Sequence, residues 1–370
     1  MKKRHPTDTD PIMLAEHSCF YVGADYTEIE GKWFSQNGMY VEKFVPQVQS
    51  RNTPVVMFHG AGQTGTNYIC TPDGRRGWVH DFLLAGYCVY VVDQPERGRS
   101  GHSLVVRDNS NNKLIEYDVA HIEIHFTAPG NHSLWPQSKR HSQWPGAGVM
   151  GDPIFDQYYT SQVDFLSDRS LSELLNQRAA VQLLDRIGPS ILLTHSQSGP
   201  MGWLIADAMP THVKAILALE PNGPPFFDVK YTGKQPWYRY NLQSLARPYG
   251  LTRIPLTFDP PLAANESLDF ELQPKTTDDE LANGYLQVSP ARQLPHLQNI
   301  PIMMMVAEAS YHAPYDHLTS AFLTQAGVNH ELTYLSQQGF NGNGHMVMLE
   351  KNNHLVADFM IEWLQTHEVE

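Results

Sequence analysis

The chain of 370 residues predicts an α/β protein, with a mostly parallel sheet flanked by helices. Short apolar runs recur at 54–60, 88–93, 191–195, 213–220, 302–308 and 331–335, and segments of helical period lie between several of them. Unbroken apolar runs of this length read as strands buried on both faces. One run, starting at Ile191, breaks into Thr194-His195-Ser196-Gln197-Ser198-Gly199 and resumes as helix-compatible Met201 to Met209. Strand, sharp turn with a central serine, helix: this is the context that lifts a nucleophilic hydroxyl out of a sheet.

Taken in order, residues 17–27 and 39–45 alternate apolar and polar, which predicts two antiparallel strands around a Gly-containing turn. A buried strand, Pro54 to Gly60, ends in the loop His59-Gly60-Ala61-Gly62. A helix around Trp78 to Ala85 follows, then a strand from Cys88 to Asp93 and the turn Gln94 to Ser100. Residues 101–168 lose the rhythm, with Asn109 to Asn112, Pro129-Gly130 and Gln143 to Gly148 among them. A structureless loop that long does not suit a compact domain, so the segment reads as an insertion over the carboxyl edge of the sheet. Helical period returns from Leu171 to Ile187 and leads into the serine turn. Val213 to Glu220 is a further strand, and a second insertion, rich in Pro and aromatics, covers about 222–298. A strand from Ile302 to Glu308, a helix from Tyr315 to Ala326, a strand from Glu331 to Leu335 and an amphipathic helix from about Leu355 to Gln365 complete one domain, 1–370.

Composition narrows the function classes. Hydrophobic residues at 41% with 18% charged describe an ordinary globular chain. A net charge of −13 disfavours nucleic acid, and Lys2-Lys3-Arg4 is too short a basic run to change that. Three cysteines, Cys19, Cys70 and Cys88, give neither a disulfide framework nor a metal spacing. No stretch approaches the roughly 20 apolar residues of a membrane span. Met1 to Pro6 is followed by no apolar signal-peptide core, so the expected location is cytoplasmic.

Two serines compete in the turn. A nucleophile elbow needs small residues two positions either side of its serine. For Ser196 these are Thr194 and Ser198, with Gly199 following; for Ser198 one of them is Pro200, which favours Ser196.

With Ser196 placed, the order of landmarks resembles the α/β-hydrolase family over nearly the whole chain outside the insertions. The landmarks are the His59-Gly60 loop, the turn from Asp93 to Ser100, Ser196, and His345 in the Gly-rich loop after the last strand. The chain is most similar to a group of bacterial and fungal carboxylesterases that carry Asp-Gln-Pro-x-Arg-Gly-Arg-Ser, His-Ser-Gln-Ser-Gly, Leu-Glu-Pro-x-Gly-Pro-Pro and Gly-Asn-x-His-Met. The resemblance implies Ser196 as nucleophile and His345 as its base. It places the acid at Glu220, because Ala309-Ser310-Tyr311 stands where the usual aspartate would follow the next strand; Glu308 and Asp316 are the alternatives. The oxyanion hole then falls to the backbone N–H groups of Ala61 and Gln197. Arg97 and Arg99 read as braces between loops. Trp144, Phe226, Phe227 and Trp237, with Trp135, Tyr158 and Tyr159, are expected either to line an apolar pocket or to form the insertions' own core. The reading is a serine esterase acting on a medium-sized apolar ester or lactone through an acyl-enzyme, with no cofactor and no metal, and with a homodimer implied by the resemblance. Two rivals stay open: a non-hydrolytic lactonising, acyl-transfer, cyclase or lyase step with the same triad, and a ligand-binding protein on the same scaffold.

Overall fold

A computed structural model describes residues 11–107, 113–264 and 266–369. The basic run Lys2-Lys3-Arg4 and the polar stretch Asn109 to Asn112 lie outside the described residues.

Eight strands form the central sheet: β1 (Leu14–Val22), β2 (Met39–Pro46), β3 (Val55–Phe58), β4 (Val89–Asp93), β5 (Ser190–His195), β6 (Val213–Leu219), β7 (Ile302–Val306) and β8 (Glu331–Tyr334). Their spatial order is β1-β2-β4-β3-β5-β6-β7-β8. The β1–β2 and β2–β4 pairs are antiparallel and all others parallel. Every residue of β3, β4, β5 and β7 is buried, as unbroken apolar runs require when helices cover both faces.

Successive side chains of a strand point to opposite faces, and the core divides accordingly. Val56, Phe58, Leu192 and Met304 pack with Ala179, Leu183, Trp203 and Leu204 from two helices, α2 (Arg169–Ile187) and α3 (Gly199–Ala208). Val55, Met57, Leu193 and Met303 pack with Trp78, Phe82, Met360 and Leu364 from α1 (Trp78–Leu84) and α5 (Asn353–Thr366) on the other face. Helix α4 (Asp316–Gln325) adds Phe322 and Leu323 to the first core. Helix α2 starts where the Asp168 carboxylate accepts from Leu171 N at 2.9 Å, an N-cap.

The N-terminal region differs from its expected two strands. Gly23, at φ +77°, ends β1, and a hairpin of Asp25–Ile29 with Lys32–Gln36 intervenes before β2 returns to pair with β1. A Cβ at Gly23 would stand 2.6 Å from the Cβ of Ala179, so the turn lies directly on α2. The two stretches without sequence period contain short pieces. Residues 101–168 hold the helical segments Val119–Ile122, Pro129–His132 and Pro153–Thr160. Residues 222–298 hold two small ribbons, Val229–Tyr231 with Tyr238–Tyr240 and Phe270–Leu272 with Tyr285–Gln287. Among the described residues no helix is long and apolar enough to cross a membrane.

Candidate active site

The chemistry-bearing residues gather beyond the carboxyl ends of the parallel strands, where open α/β sheets hold their ligands. Ser196 follows β5 directly and sits at φ +55°, a left-handed conformation unfavourable for a side chain with a Cβ. The surroundings impose it. Its carbonyl accepts from Asn222 N at 2.8 Å, and a Cβ at Gly60 would come within 3.2 Å of the Ser196 Cβ. Thr194, where the elbow motif wants glycine, is accommodated because Gly202 of α3 faces it: a Cβ there would lie 3.1 Å from Thr194 Cγ2.

Ser196 lines a cavity of about 520 Å³, together with Ala61 and Gln197. Ser198 does not line it. Its hydroxyl accepts from His195 N at 2.8 Å and reaches the Phe58 carbonyl at 2.8 Å, fastening the turn to the end of β3. The two competing serines are therefore in different situations, one facing the cavity and the other bonded into the backbone.

Glu220 ends β6 at φ +45°, fully buried. Its Oε1 accepts from Ala307 N at 2.8 Å, and its Oε2 from Ser310 Oγ at 2.6 Å and from His345 Nδ1 at 2.5 Å. Both donors besides the histidine belong to the short turn after β7, which also presents Tyr311 and Tyr315 to the cavity. Burial pushes the Glu220 carboxyl up to about 7, while its three donors favour the ionised form. Burial, and then His312, hold His345 well below the usual histidine range. The ring is thus neutral at physiological pH, with Nδ1–H directed at Glu220 and Nε2 left as the acceptor. The Tyr311 hydroxyl stands 3.4 Å from Nε2 and neighbours the Ser196 side chain. No hydrogen bond joins Ser196 Oγ to His345 among the described residues; unliganded serine–histidine pairs are commonly loose before substrate tightens them.

Of the alternative acids, Glu308 accepts from Gly342 N at 2.7 Å and Asp316 pairs with His312 Nδ1 at 3.0 Å; neither contacts His345. The loop that carries His345 is pinned by a second buried carboxylate, Glu350. It accepts from Gly344 N at 2.8 Å, Asn343 Nδ2 at 2.6 Å and His141 Nε2 at 2.7 Å. Glu220, His312 and His345 offer ligand atoms within 4.8 Å of one another. At 2.5 Å, however, the Glu220–His345 contact is shorter than the roughly 3 Å that separates two atoms sharing a metal with bonds of about 2 Å.

Arg97 is fully buried and donates to the Gly60 carbonyl at 2.9 Å and to Gln197 Oε1 at 3.0 Å. It ties the loop after β3 to the serine turn, the two segments that bring Ala61 and Gln197 to the cavity. Arg99 is held by the Asp93 carboxylate at 2.9 Å. His59 accepts from Gln94 N at 3.1 Å, and burial lowers it to about 3. The His195 ring packs 4.4 Å from that of His345, and its Nε2 meets the His345 carbonyl at 3.0 Å.

None of the four aromatic residues expected as substrate contacts lines the cavity on Ser196. Trp144 packs against Tyr158, Phe226 and Phe227 against Phe270, and Trp237 against Tyr231. Trp144 joins the core on one face of the sheet and Phe226 and Phe227 the core on the other, while Trp237 packs with Trp135, Tyr315 and Leu318 in a small cluster apart. The wall instead carries Tyr117, His121, His125, Arg169, Arg253 and Tyr311, so it is more polar than the apolar pocket the sequence suggested. Irregular segments gave no period from which to orient these side chains, and sequence alone held no signal for them.

Residues 55–359 match the profile described as the alpha/beta hydrolase family. The chain is 43% identical over 351 residues to a protein named probable secreted lipase phiG from Fungal sp. (strain ATCC 74256), covering 94% of this chain and 89% of that one. It superposes on a structure described as that of a novel bacterial esterase with a TM-score of 0.65 at 21% identity, covering 98% of each chain. At that identity the likeness is one of fold. The fungal relative overturns the expected cytoplasmic location, since it is named as secreted; a missing apolar core in the first residues was too weak a basis for that expectation.

Proposed function

Since the chain belongs to the alpha/beta hydrolase family, with ester-cleaving relatives, we propose that it is a serine hydrolase of carboxylic esters or lactones that works through an acyl-enzyme. The observation that carries this reading is the 2.5 Å contact of Glu220 with His345 Nδ1, made beside a cavity-facing serine at positive φ. In this reading His345 Nε2 takes the proton of Ser196 Oγ as that oxygen attacks the ester carbonyl. Glu220 holds the tautomer with Nδ1 protonated and stabilises the imidazolium that forms. The N–H groups of Ala61 and Gln197 receive the negative oxygen of the tetrahedral intermediate, each contributing about 3–4 kcal/mol. Collapse expels the alcohol, which takes the proton from His345. A water molecule then repeats the sequence on the acyl-enzyme, releasing the acid and restoring Ser196. Segments 101–168 and 222–298 act as caps over the site. The secreted relative supports an extracellular site of action.

The test is labelling by a fluorophosphonate with peptide mapping, alongside hydrolysis of para-nitrophenyl esters. Label on Ser196, lost in Ser196→Ala and strongly slowed in Glu220→Ala and His345→Ala, is the expected result. Label on Ser198, or folded protein with neither label nor hydrolysis, would overturn the reading.

A further inference from the structure

The chain carries a net charge of −13, yet the wall of the cavity on Ser196 bears Arg169, Lys230 and Arg253 against one carboxylate, Asp228. That carboxylate is already engaged: it accepts from Nη1 of the buried Arg247 at 2.8 Å. The other carboxylate acting on Arg253 is Glu173, whose Oε2 accepts from the backbone N–H groups of Arg253 and Ile254 at 2.7 and 3.2 Å. Burial raises Glu173 to about 7, which weakens it as a counter-charge. Arg253 forms no ion pair among the described residues.

Arg169 is in a similar position. Its guanidinium lies over the Phe165 ring, 4.5 Å from the centroid, and its Nη1 is buried without a hydrogen-bond partner among the described residues. Burial is the main cost to the charged Arg253, the Arg247 guanidinium adds to it, and Arg169 contributes a smaller repulsion. The two histidines on the same wall do not compete for the role. Burial lowers His121 to about 3 and also lowers His125, so both rings are neutral. Unneutralised guanidinium groups in a concave site are most favourable where a ligand supplies the missing charge.

Resting on the hydrolase reading above, we infer that the substrate is an acid-bearing ester, with a carboxylate or similar anionic group that docks between Arg169 and Arg253 while its ester lies at Ser196. Lys230, exposed at the rim of the same wall, adds attraction for the approaching anion.

The experiment uses matched esters. One set comprises mono-para-nitrophenyl esters of dicarboxylic acids from adipic to sebacic, with the charge on the acyl side. The other comprises butyrate esters of ω-hydroxy acids, with the charge on the alcohol side. Each is compared with its neutral methyl-capped twin, by equilibrium binding to Ser196→Ala and by turnover with the unaltered protein. At least one charged ester should bind about tenfold to a hundredfold more tightly than its twin, the range of a charge-assisted hydrogen-bonded pair. That ratio should fall toward one in Arg169→Gln and Arg253→Gln combined with Ser196→Ala, and be partly restored by Arg253→Lys. Equal or undetectable binding of the twins across both sets, or a ratio unchanged in the Gln variants, overturns the inference. Neutral twins cleaved without any charge preference would remove this inference and leave the hydrolase. Charge-selective binding without turnover or fluorophosphonate labelling would do the reverse.

Discussion

Replacing Glu220 by Gln tests the acid with almost no change of shape. The carboxylate accepts three hydrogen bonds, from Ala307 N, Ser310 Oγ and His345 Nδ1. An amide has one oxygen and one NH2 group. If the oxygen keeps Ala307 N–H, the NH2 group faces His345 Nδ1, which can then only accept. The ring proton moves to Nε2, and the histidine no longer takes a proton from serine. If the amide flips, NH2 opposes the Ala307 N–H, leaving a buried donor unpaired at about 1–3 kcal/mol. The tautomer effect dominates kinetics: the comparable change in other serine triads lowers kcat about ten-thousand-fold, or about 5.5 kcal/mol. The assay is steady-state hydrolysis of a neutral para-nitrophenyl ester, with the rate of fluorophosphonate labelling and a thermal melt on the same samples. Glu220→Gln should keep KM within a few-fold while both rates collapse. A loss of kcat under about tenfold, together with a larger loss in Glu308→Gln or Asp316→Asn, would refute the assignment.

Further outcomes follow from the same geometry. Burial places the Glu220 carboxyl at about 7 and His345 well below its ordinary range, so the ionised carboxylate, not the histidine, sets the acid side of the pH profile. Activity should fall as pH drops through about 7, and a pH–rate profile with its limb in the ordinary carboxylate range would contradict this. Ser198→Ala removes the bonds to His195 N and the Phe58 carbonyl; denaturant unfolding should show a loss of about 1–3 kcal/mol, with labelling still on Ser196. Arg97→Met leaves Gln197 Oε1 without its buried donor, while the Gly60 carbonyl keeps the one from His59 Nδ1. It should lower stability by about 1–3 kcal/mol and slow acylation more than it raises KM, measured by single-turnover kinetics.

What sequence could reveal here depended on how local each signal was. The parallel strands were legible because burial on both faces leaves an unbroken apolar run, as in Val89–Asp93. Ser196 and His345 stood at a strand end and in a Gly-rich loop, so chain order could nominate them; Glu220 rested on the resemblance, because Glu308 and Asp316 keep the same order. Thr194 looked like a defect in the elbow because its compensation, Gly202, lies across the turn and registers only in three dimensions. Trp144, Phe226, Phe227 and Trp237 could be read as apolar but not oriented, since direction in an irregular segment is set by distant partners. Arg169 lay just before the helical period that begins at Leu171 and carried no local mark of a site. Nothing local showed that the Arg253 loop would meet it.

The turn from Ala307 to Tyr315 has a practical consequence for anyone wishing to retarget this protein. The same few residues grip Glu220, through Ala307 N and Ser310 Oγ, and present Tyr311 and Tyr315 to whatever enters the cavity. Under the proposed mechanism, selectivity and speed are therefore mechanically geared together. A mutant library drawn at 311 and 315 to admit a new ligand will also nudge the carboxylate beneath, whereas changes elsewhere in the lining, at 169 or 253, lie outside that turn. Directed evolution should find it easier to alter preference from the arginine side and to alter turnover from the tyrosine side.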